Sequence, residues 1–298
     1  DIDLENIGQV EVIRGPLSSI YGAGLGGAIL INPEKTNSNF ASISTTHGSF
    51  GLLKNTVSAR ITSEKSNFNV SYHNLKTDGW RQNSSYKREG VTLSGELFKT
   101  ENSRLHFLGN FTDLKVFIPS SIDRATFKNN PRAAAGNWLA SRGYKDYRSV
   151  LGGLGYTFKI SNSIENSTSI FANYKDNYEP RPFDILSQYT FSYGVRSQFT
   201  GKILQKIDWN AGVEFFQDDY SGRNFQNLYQ QNDGQGSSQG NLLANQEQNR
   251  QFVNAFAQVK IPIVDKFDLQ AGLNYNYTKF SLQGIFPQES PQQNYNYN

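Results

Sequence analysis

The chain has 298 residues, a formal net charge of +3 and no cysteine. Only 37% of its residues are hydrophobic and 18% are charged, whereas 13% are aromatic. The absence of cysteine excludes disulfide scaffolds and thiolate metal sites, and the small net charge gives no reason to expect a nucleic-acid partner. The aromatic content excludes a disordered chain, and the apolar runs are too short for a transmembrane helix.

The first 36 residues predict two short strands separated by glycine-rich turns. The first strand ends at a Gly-Pro pair, and the second runs from Gly27 to Ile31. Gly22, Gly24 and Gly27 match the glycine spacing of a dinucleotide site, but that site needs a helix to follow, and a β-branched strand follows here. The three histidines are isolated from one another in sequence. We therefore expect neither a cofactor nor a bound metal.

Beyond residue 40, apolar and polar residues alternate, as in strands that have one apolar face. This pattern predicts eleven strands: 40–48, 50–63, 67–77, 87–99, 103–116, 147–159, 163–176, 189–204, 207–220, 250–262 and 266–282. Many are longer than ordinary globular strands and are long enough to cross a membrane. The apolar set, which we expect to face lipid, includes Val195, Val213, Leu269 and Leu273; the polar set, which we expect to face a lumen, includes Arg196, Glu214, Gln270 and Asn274.

The connections between these strands alternate in length. Short ones are expected at 64–66, 100–102, 160–162, 205–206 and 263–265, and long polar ones at 78–86, 117–146, 177–188 and 221–249. Aromatic residues occur near both ends of the apolar faces, as in the two girdles of an outer-membrane barrel. The fold class predicted is therefore all-β, a transmembrane antiparallel β-barrel of which this chain supplies about eleven strands.

The first segment resembles the end of the plug domain of TonB-dependent outer-membrane receptors. The residues that carry the resemblance are, in order, Glu11, Arg14, Gly15, Pro16, Ser18, Tyr21, Gly22, Gly26, Gly27 and Ile31. A Thr-Lys-like pair usually closes this motif, and Asn32 to Thr36 depart mildly from it. The resemblance divides the chain into the C-terminal part of a plug domain, residues 1–36, and the N-terminal half of a receptor barrel, residues 37–298.

The resemblance also implies a function. Such receptors bind a scarce extracellular ligand and import it to the periplasm with TonB-coupled energy; they are not enzymes. For this chain the resemblance favours a ferric siderophore as the ligand. The implied location is the outer membrane of a Gram-negative bacterium. The implied partners are TonB, the ligand, and outer-membrane lipid with lipopolysaccharide. A passive porin or adhesin, or an importer of cobalamin, haem or oligosaccharide, remain alternatives at this point.

Two groups of residues follow as candidates for this function. In the receptor family, plug arginines pair with barrel glutamates, so we expect Arg14 to find a partner such as Glu96, Glu165 or Glu214, or a carboxylate on later strands. Cationic and aromatic residues of the long connections suit an anionic, partly aromatic ligand. These ligand candidates are Trp80, Arg81, Arg124, Arg132, Trp138, Arg142, Tyr144, Arg181, Tyr220 and Arg223.

Overall fold

The computed structural model describes residues 7–13, 20, 27–33, 38–264 and 267–297. Strands β1 (Ile7–Ile13) and β2 (Ala28–Pro33) form a separate antiparallel pair. Within the described residues, twelve further strands form one sheet in which each pairs antiparallel with its neighbours in sequence. They are β3 (Phe40–Gly48), β4 (Leu52–Thr62), β5 (Asn67–Thr77), β6 (Tyr86–Leu97), β7 (Ser103–Phe117), β8 (Tyr144–Ser161), β9 (Ile164–Arg181), β10 (Asp184–Ile203), β11 (Ile207–Asn227), β12 (Gln239–Val264), β13 (Phe267–Phe286) and β14 (Gln293–Tyr297).

The meander of long antiparallel strands confirms the predicted fold class, but two predicted long connections are wrong. The stretch 177–188 is not a loop, because β9 and β10 run through it to a turn at residues 182–183. The connection at 221–249 shrinks to residues 228–238. A short strand, β14, was also missed. Between residues 221 and 249 polar residues occupy both faces, and at 177–188 Pro180 and Pro182 interrupt the strand signal, so the backbone ladder continues where the sequence pattern no longer reports it.

The longest connection, residues 118–143, contains two short helices, α1 (Arg124–Asn129) and α2 (Gly136–Ser141). Helical periodicity in the sequence is confined to a stretch around Pro131 to Ala140, which overlaps α2, so α1 was missed. The Asp123 side chain caps α1 by accepting a hydrogen bond from the Thr126 backbone N–H at 2.7 Å, and this bond lowers the pKa of the Asp123 carboxyl. Within the described residues, no helix has the length and apolar character needed to cross a membrane.

The two faces of the large sheet differ sharply, as the alternation predicts. Directly paired residues share a face, so the register assigns every strand residue to one side. One side exposes large apolar residues, with Leu273 at 80% and Val213 at 58% of full exposure. The opposite side holds buried polar residues, among them Asn254 at 0%. We call the first side the outer face and the second the inner face.

Candidate functional site

The β1–β2 segment lies against the inner face of the large sheet. The Ile20 backbone carbonyl accepts a hydrogen bond from Arg196 of β10 at 2.8 Å. Asn32 of β2 borders a cavity of about 570 Å³ whose other walls come from the inner face of β4 to β9. A segment placed in this way fills space on the polar side of the sheet.

Arg196, which contacts this segment, also contacts its own sheet. Its second terminal nitrogen donates to the Glu214 carboxylate at 2.8 Å, and the guanidinium carbon lies 4.7 Å from the centre of the Phe256 ring. The side chains of Arg196 and Glu214 are only 20% and 22% exposed, and Phe256 is buried at 4%. The ion pair with Glu214, the contact with the Phe256 ring and the hydrogen bond to the Ile20 carbonyl together hold the guanidinium in one orientation.

The 570 Å³ cavity contains a second group of charged residues. It is lined by Arg60, Glu96, Arg104 and His106, among others. Glu165 lies nearby and pairs with Arg104 at 3.5 Å. One carboxylate oxygen of Glu96 is buried and has no hydrogen-bond partner among the described residues. A buried carboxylate oxygen in this state can accept a donor from a neighbouring segment.

A basic patch with two tyrosines occupies the other half of the inner face, toward the long connections. We define this inner patch as Arg88, Tyr147, Lys175, Asn177 and Tyr220, on β6, β8, β9 and β11. The Lys175 ammonium lies 4.7 Å from the centre of the Tyr147 ring. Asn177 is 1% exposed, and within the described chain neither of its side-chain amide atoms has a hydrogen-bond partner. The Tyr220 hydroxyl donates to Gln188 at 3.0 Å.

The connections beside this patch are joined into one lobe, residues 78–85, 118–143 and 228–238. The Arg81 guanidinium donates to the backbone carbonyls of Ala133 and Ser120, and the Asn83 amide donates to those of Ile118, Trp138 and Gly143. From the third connection, the hydroxyl of Ser237 donates to the Ser141 carbonyl at 2.7 Å. These bonds satisfy loop carbonyls that would otherwise need water, so the lobe is ordered by side chains.

Comparison with known proteins brings these features together. No family model matches the sequence. Among solved structures, the ferric citrate transporter FecA in the unliganded form matches with a TM-score of 0.80 at 15% identity, over 99% of this chain and 46% of that one. The ferric-catecholate import receptor Fiu from E. coli K12 gives 0.76 at 15% identity, over 98% and 56%. The ferric yersiniabactin uptake receptor FyuA from Yersinia pestis gives 0.79 at 12% identity, over 98% and 48%.

This chain has the fold of the TonB-dependent outer-membrane receptors. It spans about half the length of the receptors that it matches. The match extends over β1 and β2 as well as the large sheet, since nearly all of the chain is covered. Below we use the names plug segment for residues 1–36 and receptor wall for the large sheet, after the division that the sequence resemblance predicts.

Most plug-motif residues lie outside the described part of the chain. This holds for Arg14, Gly15, Pro16, Tyr21, Gly22 and Gly26, whereas Gly27 is described and has a positive φ of 102°, which glycine adopts without strain. The expected pairing of Arg14 therefore stays a prediction. Of its three expected partners, Glu214 is engaged by Arg196 and Glu165 by Arg104, while Glu96 keeps a buried oxygen available.

The structure also shows how the predicted ligand residues of the receptor are used. Arg81 holds loop carbonyls, Arg132 donates to the Trp80 carbonyl at 3.0 Å, and Arg181 forms a two-bond pair with Asp184. Trp138 packs beside Gly143, and Lys115 lies over the Tyr144 ring. Arg124, Arg142 and Arg223 are exposed. Arg181 and Arg223 do not crown loops as predicted, since both belong to strands.

Sequence reasoning missed four members of the inner patch. Asn177 lies in a predicted connection, where only cationic and aromatic residues were considered; the other three are Arg88, Tyr147 and Lys175. They lie within predicted strands, and we searched for ligand residues only in the connections. The signal that could have found them was present: a cation or a tyrosine at a lumen-facing position near the long-connection end of the strands that became β6, β8, β9 and β11. Tyr220 was predicted because it stands at a strand end.

The lobe gives a first testable prediction for the receptor. Asn83→Ala should loosen the 118–143 connection, because three backbone carbonyls lose their common donor. Leaving buried carbonyls without a partner costs about 1–3 kcal/mol, so the rate of amide hydrogen exchange in that connection should rise by roughly one to two orders of magnitude. Asn83 also has a positive φ of 51°, which alanine adopts with strain. Asn83→Gly removes the amide without that strain, so equal effects of both variants assign the loss to the hydrogen bonds. Unchanged exchange in both would contradict the ordering role.

Proposed function

We propose that this chain is part of an outer-membrane receptor that binds a ferric complex outside the cell and imports it to the periplasm with TonB-coupled energy. One observation carries the proposal: the whole chain, plug segment included, has the fold of receptors whose names describe ferric-complex transport or uptake. A plug segment on the inner face distinguishes this arrangement from a passive porin, which needs an open lumen. The proposal places the protein in the outer membrane of a Gram-negative bacterium and gives it no enzymatic role.

The inner patch supports an anionic ligand. Ferric complexes of citrate or catecholates carry negative charge and planar chelating groups, which suit guanidinium and ammonium donors beside tyrosine rings. Arg88 and Lys175 supply these charges on the inner face, and Tyr147 lies directly against Lys175. The buried Asn177 amide, which has no partner in the described chain, offers a donor and an acceptor in the same patch.

The outer face supports contact with lipid. Its apolar residues are exposed in a continuous band along β10, β11 and β13, including Val195, Val213 and Leu273. A band of this kind would be costly in water but is favourable against hydrocarbon. Lipid and lipopolysaccharide are therefore the partners that we propose for the outer face, and TonB for a part of the receptor outside the described residues.

Uptake of labelled iron by cells that carry the complete receptor tests this function. Cells should accumulate ⁵⁵Fe from ferric citrate or from a ferric catecholate, and the accumulation should vanish when TonB is deleted. Cyanocobalamin and haem are the matched probes for the alternative ligands. Uptake that persists without TonB would indicate passive diffusion, and the absence of uptake with both ferric probes would refute the ferric-complex assignment.

A further inference from the structure

The contact that Arg196 makes with the plug segment differs from the plug–barrel contact that the sequence resemblance implies. That expectation put the arginine on the plug and the carboxylate on the barrel. Here both charged groups, Arg196 and Glu214, belong to the wall, and they face each other directly in the β10–β11 register. From the described residues of the plug segment, a neutral backbone carbonyl, that of Ile20, contacts Arg196.

Residues of the wall hold the guanidinium in position. Glu214 accepts one of its N–H groups at 2.8 Å, and the Phe256 ring supports its flat face at 4.7 Å. Phe256 itself can lie flat because its wall neighbour is Gly212, where an added Cβ would come within 2.5 Å of the ring. The wall therefore presents a preformed donor, and the plug carbonyl completes its hydrogen bonding.

We propose that Arg196 is a positioning residue that latches the plug segment to the receptor wall through the Ile20 carbonyl and releases it without unpairing a charge. This inference rests on the proposed function, because only an importing receptor has to displace its plug. When the carbonyl leaves, Arg196 keeps Glu214 and Phe256, so no unpaired charge remains in the lumen. A salt bridge between plug and wall would leave a partly buried carboxylate alone at the same step, which is far more costly.

Hydrogen exchange in the complete receptor tests the latch. Arg196→Gln should speed exchange in the plug peptide that contains Ile20 by about tenfold, the value expected for one charge-assisted hydrogen bond. Arg196→Lys keeps the charge next to Glu214 but lacks the fork that reaches two acceptors, so we expect the same acceleration in a normally folded barrel. Arg148→Gln is the matched control, since Arg148 pairs with Asp113 on the outer face, away from the plug.

Three outcomes are informative. Faster plug exchange in both Arg196 variants, with wall exchange unchanged, supports the latch. Exchange as slow in Arg196→Lys as in the wild type would overturn it, because the charge alone would then suffice; unchanged exchange in both variants would overturn it as well. Hydrogen exchange does not depend on transport, so a receptor that takes up neither ferric probe would refute the proposed function while leaving the latch to be decided by exchange.

Discussion

Replacing Arg88 and Lys175 together by glutamine should weaken binding of ferric citrate or of a ferric catecholate by about 100-fold. Each lost charged contact is worth at least about 1.5 kcal/mol, and every 1.4 kcal/mol changes affinity tenfold. Both side chains lie on the inner face, and the Lys175 ammonium is held against the Tyr147 ring. Quenching of tryptophan fluorescence in the purified complete receptor measures the dissociation constant.

The matched control for this pair is Lys87→Gln with Arg148→Gln. Lys87 and Arg148 are outward-facing cations that directly neighbour the patch residues Arg88 and Tyr147 in sequence, with side chains 65% and 70% exposed. The control removes the same net charge, so it separates local contact from long-range attraction, which salt screens. Equal weakening in both double variants would show that the patch is not the contact surface, and unchanged affinity in the patch variant would refute its role outright.

The exposed cationic residues of the lobe are the alternative candidates for binding the ligand. Arg124 and Arg142 are exposed on the connection that contains both helices, whereas Arg81 and Arg132 are already used to order that connection. Deletion of residues 120–144 would therefore remove structure as well as ligand candidates. Substitution of Arg124 and Arg142 by glutamine tests the lobe more cleanly, and we expect a smaller loss than at the inner patch because exposed charges pay less desolvation and are screened.

Leu273→Arg should destabilise the receptor in lipid by about 2–4 kcal/mol, whereas Leu269→Arg should cost about 0–1 kcal/mol. Both leucines lie on the outer face of β13. Leu273 lies six residues beyond Phe267, the first residue of that strand. For a strand tilted by about 45°, this spacing places Leu273 about 14 Å above Phe267 along the membrane normal, close to the middle of a hydrocarbon band about 25 Å tall. Leu269 lies near one edge of the same band, where an arginine can reach the headgroups.

Urea unfolding of the complete receptor in liposomes measures both variants. The difference between the two positions is the decisive quantity, since the substitution is the same and only depth changes. Similar small effects at Leu273 and Leu269 would contradict a lipid-facing outer face. The exposed fraction of Leu273, 80%, shows that crowding within the described wall does not account for the expected loss.

The sequence by itself determined the fold class and most of the strands. A period-two pattern states directly which residues share a face, so the assignment of Val213 and Glu214 to opposite sides needed no coordinates. The same pattern failed beyond residue 220, where both faces are polar, and at 177–188, where Pro180 and Pro182 interrupt the strand signal. There the ladder is continued by backbone hydrogen bonds, which every residue type except proline can make, and the side chains no longer report it.

Only the tertiary structure decided which residues act together. The sequence places Arg81 in a connection and Arg88 in a strand, but it does not show that the Arg81 guanidinium is already bound to loop carbonyls while Arg88 lies on the inner face near Tyr147. Likewise, the spacing of Arg196 and Glu214 does not reveal that they form one unit with Phe256 and the Ile20 carbonyl. The local pattern determines the face of the sheet to which each side chain points. The partner that a side chain contacts depends on the register between strands and on segments far away in the chain, and no local pattern encodes either of these.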